Sequence, residues 1–219
     1  MVKPLTGPEA VLNSLHRKGE NMGFLGAFVL LGSLGFSTRA ALPPQFSECL
    51  YGDSSNASVS DLQAIAQSTP VTYCQTKTGM GDKYSVIDLL KTKNVQLGIS
   101  LAKTNYQRED LIELAGVGSY LLYVDSGRLD KVYLADLLSK GVQLVVSSGD
   151  SSLSKYDLLH LAKTKSFIYH VNSIATKEEL LDLAKAGVQL VLRSGKTFLP
   201  KEYIVEISKQ HPGLVMLVP

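Results

Sequence analysis

One feature limits this chain more than any other: it repeats itself with a period of about 24 residues, the signature of a stacked array rather than a single irregular core. Aliphatic residues recur at Leu62, Ile87, Leu111, Leu134, Leu158, Leu180 and Ile204, at spacings of 25, 24, 23, 24, 22 and 24. A second column follows three residues later, including Ile65, Leu90, Leu137, Leu161 and Leu183. A third column of Ala or Leu stands four residues after most anchors. These offsets place all three columns on one face of a helix. Lys91 and Ser208 interrupt the third column, which predicts poorer packing for those two helices.

The ends of the expected helices carry matching signals. Ser58, Ser154 and Thr176 each precede an acid by three residues (Asp61, Asp157, Glu179), the spacing of a capping box. Pro200 suits the first position of the last helix. Gly118, Gly141 and Gly187 stand seven residues past their anchors, where a helix ends most easily in a left-handed residue.

After each stop comes a short apolar run (VQLGIS, YLLYV, VQLVV, FIYHV, VQLVL, LVMLV), of strand length and rich in β-branched and aromatic residues. Strands joined through helices must run parallel, with right-handed crossovers. A diverged first unit over 41–75 adds a strand at Phe46–Tyr51, because Gly52-Asp53-Ser54-Ser55 echoes Gly149-Asp150-Ser151-Ser152. The expected total is eight strands and seven helices.

Two α/β architectures satisfy this pattern. The favoured one is an open parallel-sheet solenoid with helices outside, the arrangement of leucine-rich-repeat proteins. Their L-x-x-L-x-L-x-x-N column is absent, so the likeness is of architecture alone. The alternative is a closed small (βα)8 barrel, in which Leu214–Val218 would pair with Phe46–Tyr51. In an open array the uncharged strand Leu214–Val218 is a bare edge, and self-association through it is expected.

The formal charge of +2 arises in residues 1–40; the basic and acidic residues of 41–219 balance. A neutral body offers no footprint for nucleic acid. Residues 1–40 read as a leader. The run from Gly23 to Phe36 holds no charge, Arg17 and Lys18 precede it, and small residues stand at Thr38 and Ala40. That is the layout of a signal peptide cut after Ala40, with 41–219 left as one domain and no membrane span after its removal. An uncleaved anchor and a packed terminal helix are the competing readings. Translation from Met22 is an alternative start.

Export makes the two remaining cysteines informative. Cys49 and Cys74 lie one unit apart, so a disulfide between neighbouring strands is expected, with two buried thiols as the alternative. The expected compartment is secreted or periplasmic. Asn56-Ala57-Ser58 fits a glycosylation sequon.

Candidate chemistry is sparse. Gly195-Lys196-Thr197 follows a strand, but a phosphate loop needs glycine where Leu190 stands, so no cofactor is expected. Asp125, Ser148, Asn172 and Ser194 form a polar column at the strand ends, readable as a ladder that ties loops together or as the rim of a barrel active site. Asp125 and Asp150 are the acids on that face of the central units. Of the histidines, His160 is expected on an exposed helix face and His170 half-buried in a strand. No metal-ligand set or nucleophile–base pair is evident. The reading that follows is an exported non-enzymatic scaffold binding a protein or a surface glycan. The alternative is a small barrel hydrolase acting on carbohydrate.

Overall fold

The computed structural model describes residues 41–51, 58–75 and 82–219. The expected leader, the sequon residues Asn56 and Ala57 and the Gly52–Ser55 echo lie outside the described residues. The elements are α1 (Pro44–Tyr51), α2 (Val59–Ala66), β1 (Val71–Gln75), α3 (Lys83–Lys91), β2 (Val95–Ser100), α4 (Arg108–Val117), β3 (Leu121–Val124), α5 (Lys131–Ser139), β4 (Gln143–Ser147), α6 (Lys155–Thr164), β5 (Ile168–Val171), α7 (Lys177–Lys185), β6 (Gln189–Arg193), α8 (Lys201–Gln210) and β7 (Val215–Val218). The strands form one sheet in the order β1-β2-β3-β4-β5-β6-β7, and every pairing is parallel. Among the described residues β1 and β7 are its two edges, so the sheet is open. None of the helices described is long and apolar enough to cross a membrane.

Alternation along the strands divides the interior into two cores. Leu122, Val124, Leu144, Val146, Leu190 and Leu192 face the helices. Leu121, Tyr123, Val145, Ile168 and Val191 face the other way, onto Phe46 and Cys49 of α1. A sheet covered on both faces explains why the strands read as continuous apolar runs. The anchor leucines Leu137, Leu161 and Leu183 are buried as their spacing predicts, and His160 is exposed.

The structure corrects several expectations. Phe46–Tyr51 is a helix, giving seven strands and eight helices among the described residues. The barrel-closing pairing with Leu214–Val218 is therefore absent. In α3 the buried residues are Val86, Ile87 and Leu89, so its core column starts at Val86 rather than Ile87, and Leu90, not Lys91, takes the third column. Gly141 and Gly187 are left-handed as expected, with φ of 94° and 84°. Gly118 is extended at φ −171°. Asn94, at φ 67°, takes the left-handed place before the same Val-Gln-Leu run. Pro200 is the N-cap of α8 rather than its first residue. Capping boxes close at Ser58/Asp61 and Ser154/Asp157. Thr176 caps Glu179 N, but the Glu179 carboxylate accepts the Tyr169 hydroxyl at 3.0 Å instead of completing the box.

Candidate functional site at the carboxyl ends of the strands

Parallel α/β sheets gather polar groups at the carboxyl ends of their strands, because the loops there join each strand to the positive end of the next helix. Here the α1-facing register of four inner strands ends in a polar residue: Ser100 in β2, Ser147 in β4, His170 in β5 and Arg193 in β6. Ser147 and His170 are Cα partners across β4 and β5.

Two carboxylates are pinned beside them. Asp125 accepts the Ser100 hydroxyl at 2.5 Å and the Ala102 N–H at 2.8 Å, strapping β2 to β3. Asp150 accepts the Ser147 hydroxyl at 2.6 Å and the Asn172 side-chain N–H at 3.0 Å, strapping β4 to β5. Asn172 turns its oxygen to the Gly149 N–H and the Ser148 hydroxyl, at 2.9 and 3.1 Å. Ser148 in turn receives the Asn172 N–H at 3.1 Å. Of the four column residues, Ser148 and Asn172 therefore bond directly to each other. Asp125 bonds to β2 and its following turn. Ser194 reaches its neighbour strand through its backbone N–H to Val218 O at 2.8 Å.

His170 is different in kind. It is 2% exposed, more deeply placed than its sequence position indicated. Its ring meets the Phe46 ring edge-on at 5.6 Å. Nε2 is buried with no hydrogen-bond partner among the described residues. Burial, then the Arg193 charge, lowers its pKa to about 4, while Asp150 pulls the other way. The imidazole is thus neutral at neutral pH, with one ring nitrogen able to exchange a proton or bind a polar atom. The sequence placed His170 in a strand but gave no sign that its neighbours would be Asp150 and Phe46.

Two other concavities carry less. A cleft at the amino ends of β4–β6, lined by Pro43, Gln143, Phe167 and Gln189, opens at the opposite end of the strands from His170. A second lies among loops lined by Arg108, Arg128, Lys131 and Ser152, but Arg108 pairs with Asp130, Lys131 with Asp157, and Arg128 donates to Leu101 O. Among the described residues no three His, Cys, Asp or Glu side chains converge as a metal site.

Cys49 and Cys74 form a disulfide with Cα atoms 5.1 Å apart. The bond joins α1 to β1, not two strands, because the Cys49 segment is helical.

No family model matches the sequence. No curated protein matches it. Among solved structures, the chain is similar to an oxaloacetate acetylhydrolase in complex with the product oxalate, at 11% identity and a TM-score of 0.36, covering 73% of this chain and 72% of that one. It is similar also to an archaeal fructose-1,6-bisphosphate aldolase with its catalytic Lys bound to the carbinolamine intermediate, at 14% identity and a TM-score of 0.29, covering 73% and 74%. Both of those proteins are enzymes, and the expectation of a non-enzymatic binding scaffold finds no support among them. At TM-scores below 0.5 they assign no substrate, residue or mechanism to this chain.

Proposed function

We propose that the chain is a small α/β hydrolase whose reacting groups stand at the carboxyl ends of β4 and β5. The observation that carries this reading is the grouping of a buried neutral imidazole, His170, whose Nε2 has no partner among the described residues, with a carboxylate on the adjoining strap, Asp150. Hydrolysis needs a group that takes a proton from water and one that returns it to the leaving atom. In this reading Asp150, fixed by Ser147 and Asn172, orients the water and stabilises positive charge as it develops. His170 Nε2 moves the proton. Asp125 and Asp150 are two carboxylates on one rim, the residue type used in glycoside hydrolysis, so carbohydrate is the substrate class to assay first.

The test is turnover of aryl glycosides and aryl esters by the purified protein, by Asp150→Asn and by His170→Gln. Each substitution should lower turnover by about 10²-fold or more, the usual weight of a general acid or base, with the melting temperature followed in parallel. Absence of turnover in the wild type, or turnover indifferent to both substitutions, rejects the reading.

Residues 1–40 act in this proposal as a cleaved export leader, residues 41–219 as one domain, and the compartment is secreted or periplasmic. The disulfide supports it, since such bonds persist in oxidising compartments. N-terminal sequencing of the soluble protein should begin near Ala41; an intact leader on soluble protein overturns the export reading.

A further inference from the structure

Every helix from α3 to α8 begins with a cation: Lys83, Arg108, Lys131, Lys155, Lys177 and Lys201. The first five each pair with a carboxylate at the start or middle of the next helix. Lys83 reaches Asp110 and Glu113, Arg108 reaches Asp130, and Lys131 reaches Asp157. Lys155 pairs with Asp182 and Lys177 with Glu206. The side of each helix that faces its successor is therefore marked by its first residue. One turn on, the fifth residue (Ile112, Ala135, Leu159 and Leu181 in α4–α7) packs against the core.

The pattern stops at α8. Lys201 has no carboxylate partner among the described residues, and Val205, its fifth residue, is 42% exposed. Beside them β7 is an edge strand with Leu217 58% exposed.

The opposite end shows the complement. Asp61 is the third residue of α2, the place Asp110 and Asp157 occupy in α4 and α6 as acceptors. It bonds only to Ser58, and no cation meets it among the described residues. Ile65, the seventh residue, is 50% exposed, although the seventh residue of every later helix is buried, from Leu89 in α3 to Ile207 in α8. β1 is the other edge strand.

We propose that a second copy of this chain docks head to tail, its α2 and β1 taking the place of the next unit beside α8 and β7. Lys201 then meets Asp61 of the second copy, Val205 and Ile65 cover each other, and β7 and β1 pair in parallel as β6 and β7 do. A two-fold arrangement would instead bring Lys201 against Lys201, so charge selects the head-to-tail contact. Such a contact uses two different surfaces and leaves one of each free at the ends, so it produces closed rings or filaments rather than a dimer alone.

The purified protein should show a mass by sedimentation equilibrium that rises with concentration beyond two chains. Lys201→Glu and Asp61→Lys should each weaken association about tenfold, and the double swap should restore most of it. Asp61→Lys also removes the carboxylate half of the α2 capping box, so Val205→Lys, which touches no cap, is the companion variant and should weaken association likewise. Zero-length cross-linking of mixed light and heavy isotope-labelled protein should join Lys201 to Asp61 between chains. A monomer at all concentrations overturns the proposal. So does association indifferent to these substitutions, or a Lys201–Asp61 link found only within one chain.

Discussion

Cys49 Sγ occupies the space above Gly98 that a β-carbon would take. Gly98 is the Cα partner of Cys74 across β1 and β2, so the disulfide lies flat against the sheet only because its neighbour has no side chain. The bond, the glycine and the buried Phe46 together hold α1 against the face of the sheet that carries His170.

Gly98→Ala should therefore destabilise the protein by about 1–3 kcal/mol, the range for inserting a methyl group into a packed interior. Gly116 is the control. It lies in α4, and no atom of the described residues beyond its own helix backbone and chain neighbours stands within 4 Å of where a β-carbon would sit. Gly116→Ala should stabilise by about 0.5–1 kcal/mol through helix propensity alone. Urea unfolding of both variants checks the contrast, and equal effects would mean that Cys49 does not rest on Gly98.

Removing the bridge tests the same junction by another route. The disulfide spans a sequence separation of 25. Chain entropy in the unfolded state then predicts a loss of about 3 kcal/mol for the double replacement Cys49→Ser, Cys74→Ser. Hydrogen exchange should locate the loosening in α1 and β1 while β3–β6 keep their protection. Uniform loss of protection would show that α1 is integral to the whole sheet.

Leu161 and His160 are adjacent in α6 and face opposite environments, one fully buried and one exposed. Leu161→Ala should cost about 2–5 kcal/mol and His160→Ala less than about 0.5 kcal/mol. Thermal or denaturant unfolding separates the two, and similar costs would mean that the helix is rotated from the register described.

These contrasts mark what was legible in the sequence. Leu137, Leu161 and Leu183 could be read because burial in a helix follows spacing, which is local. The parallel sheet followed from strands alternating with helices, and the cysteine pairing from a separation of one unit. α1 was misread because FSECLY is short, apolar and aromatic, which strands and buried helices share. The spacing of Phe46, Cys49 and Leu50 at i, i+3 and i+4 was the available signal for a helix. α3 was set one residue late because Ile87 and Leu90 mimic the column that Val86 and Leu89 fill. The candidate site was scarcely legible. Asp150 is brought near His170 only through the β4–β5 register, and the ring packed on His170 comes from Phe46, far away in the chain.

His170 also makes the fold sensitive to pH in a defined window. Its folded pKa lies near 4, lowered first by burial and then by Arg193, against an ordinary value of 6.5. Above pH 6.5 the imidazole is neutral in folded and unfolded chains alike, so it contributes no pH dependence there. Between about 6.5 and 4 the unfolded chain takes up a proton that the folded chain refuses, so stability falls as pH falls. Below about 4 both forms are protonated and this contribution levels off. Its full size is on the order of 3 kcal/mol, at about 1.4 kcal/mol per unit of pKa difference. Carboxylates titrate in part of the same range, so the measurement is a difference: urea unfolding from pH 7 to 4 for wild type and for His170→Gln. Carboxylate effects common to both proteins cancel, and the wild type should lose more stability over the window. Identical slopes, or an imidazole that titrates near 6.5 by NMR, would mean that packing against Phe46 does not hold the His170 pKa down.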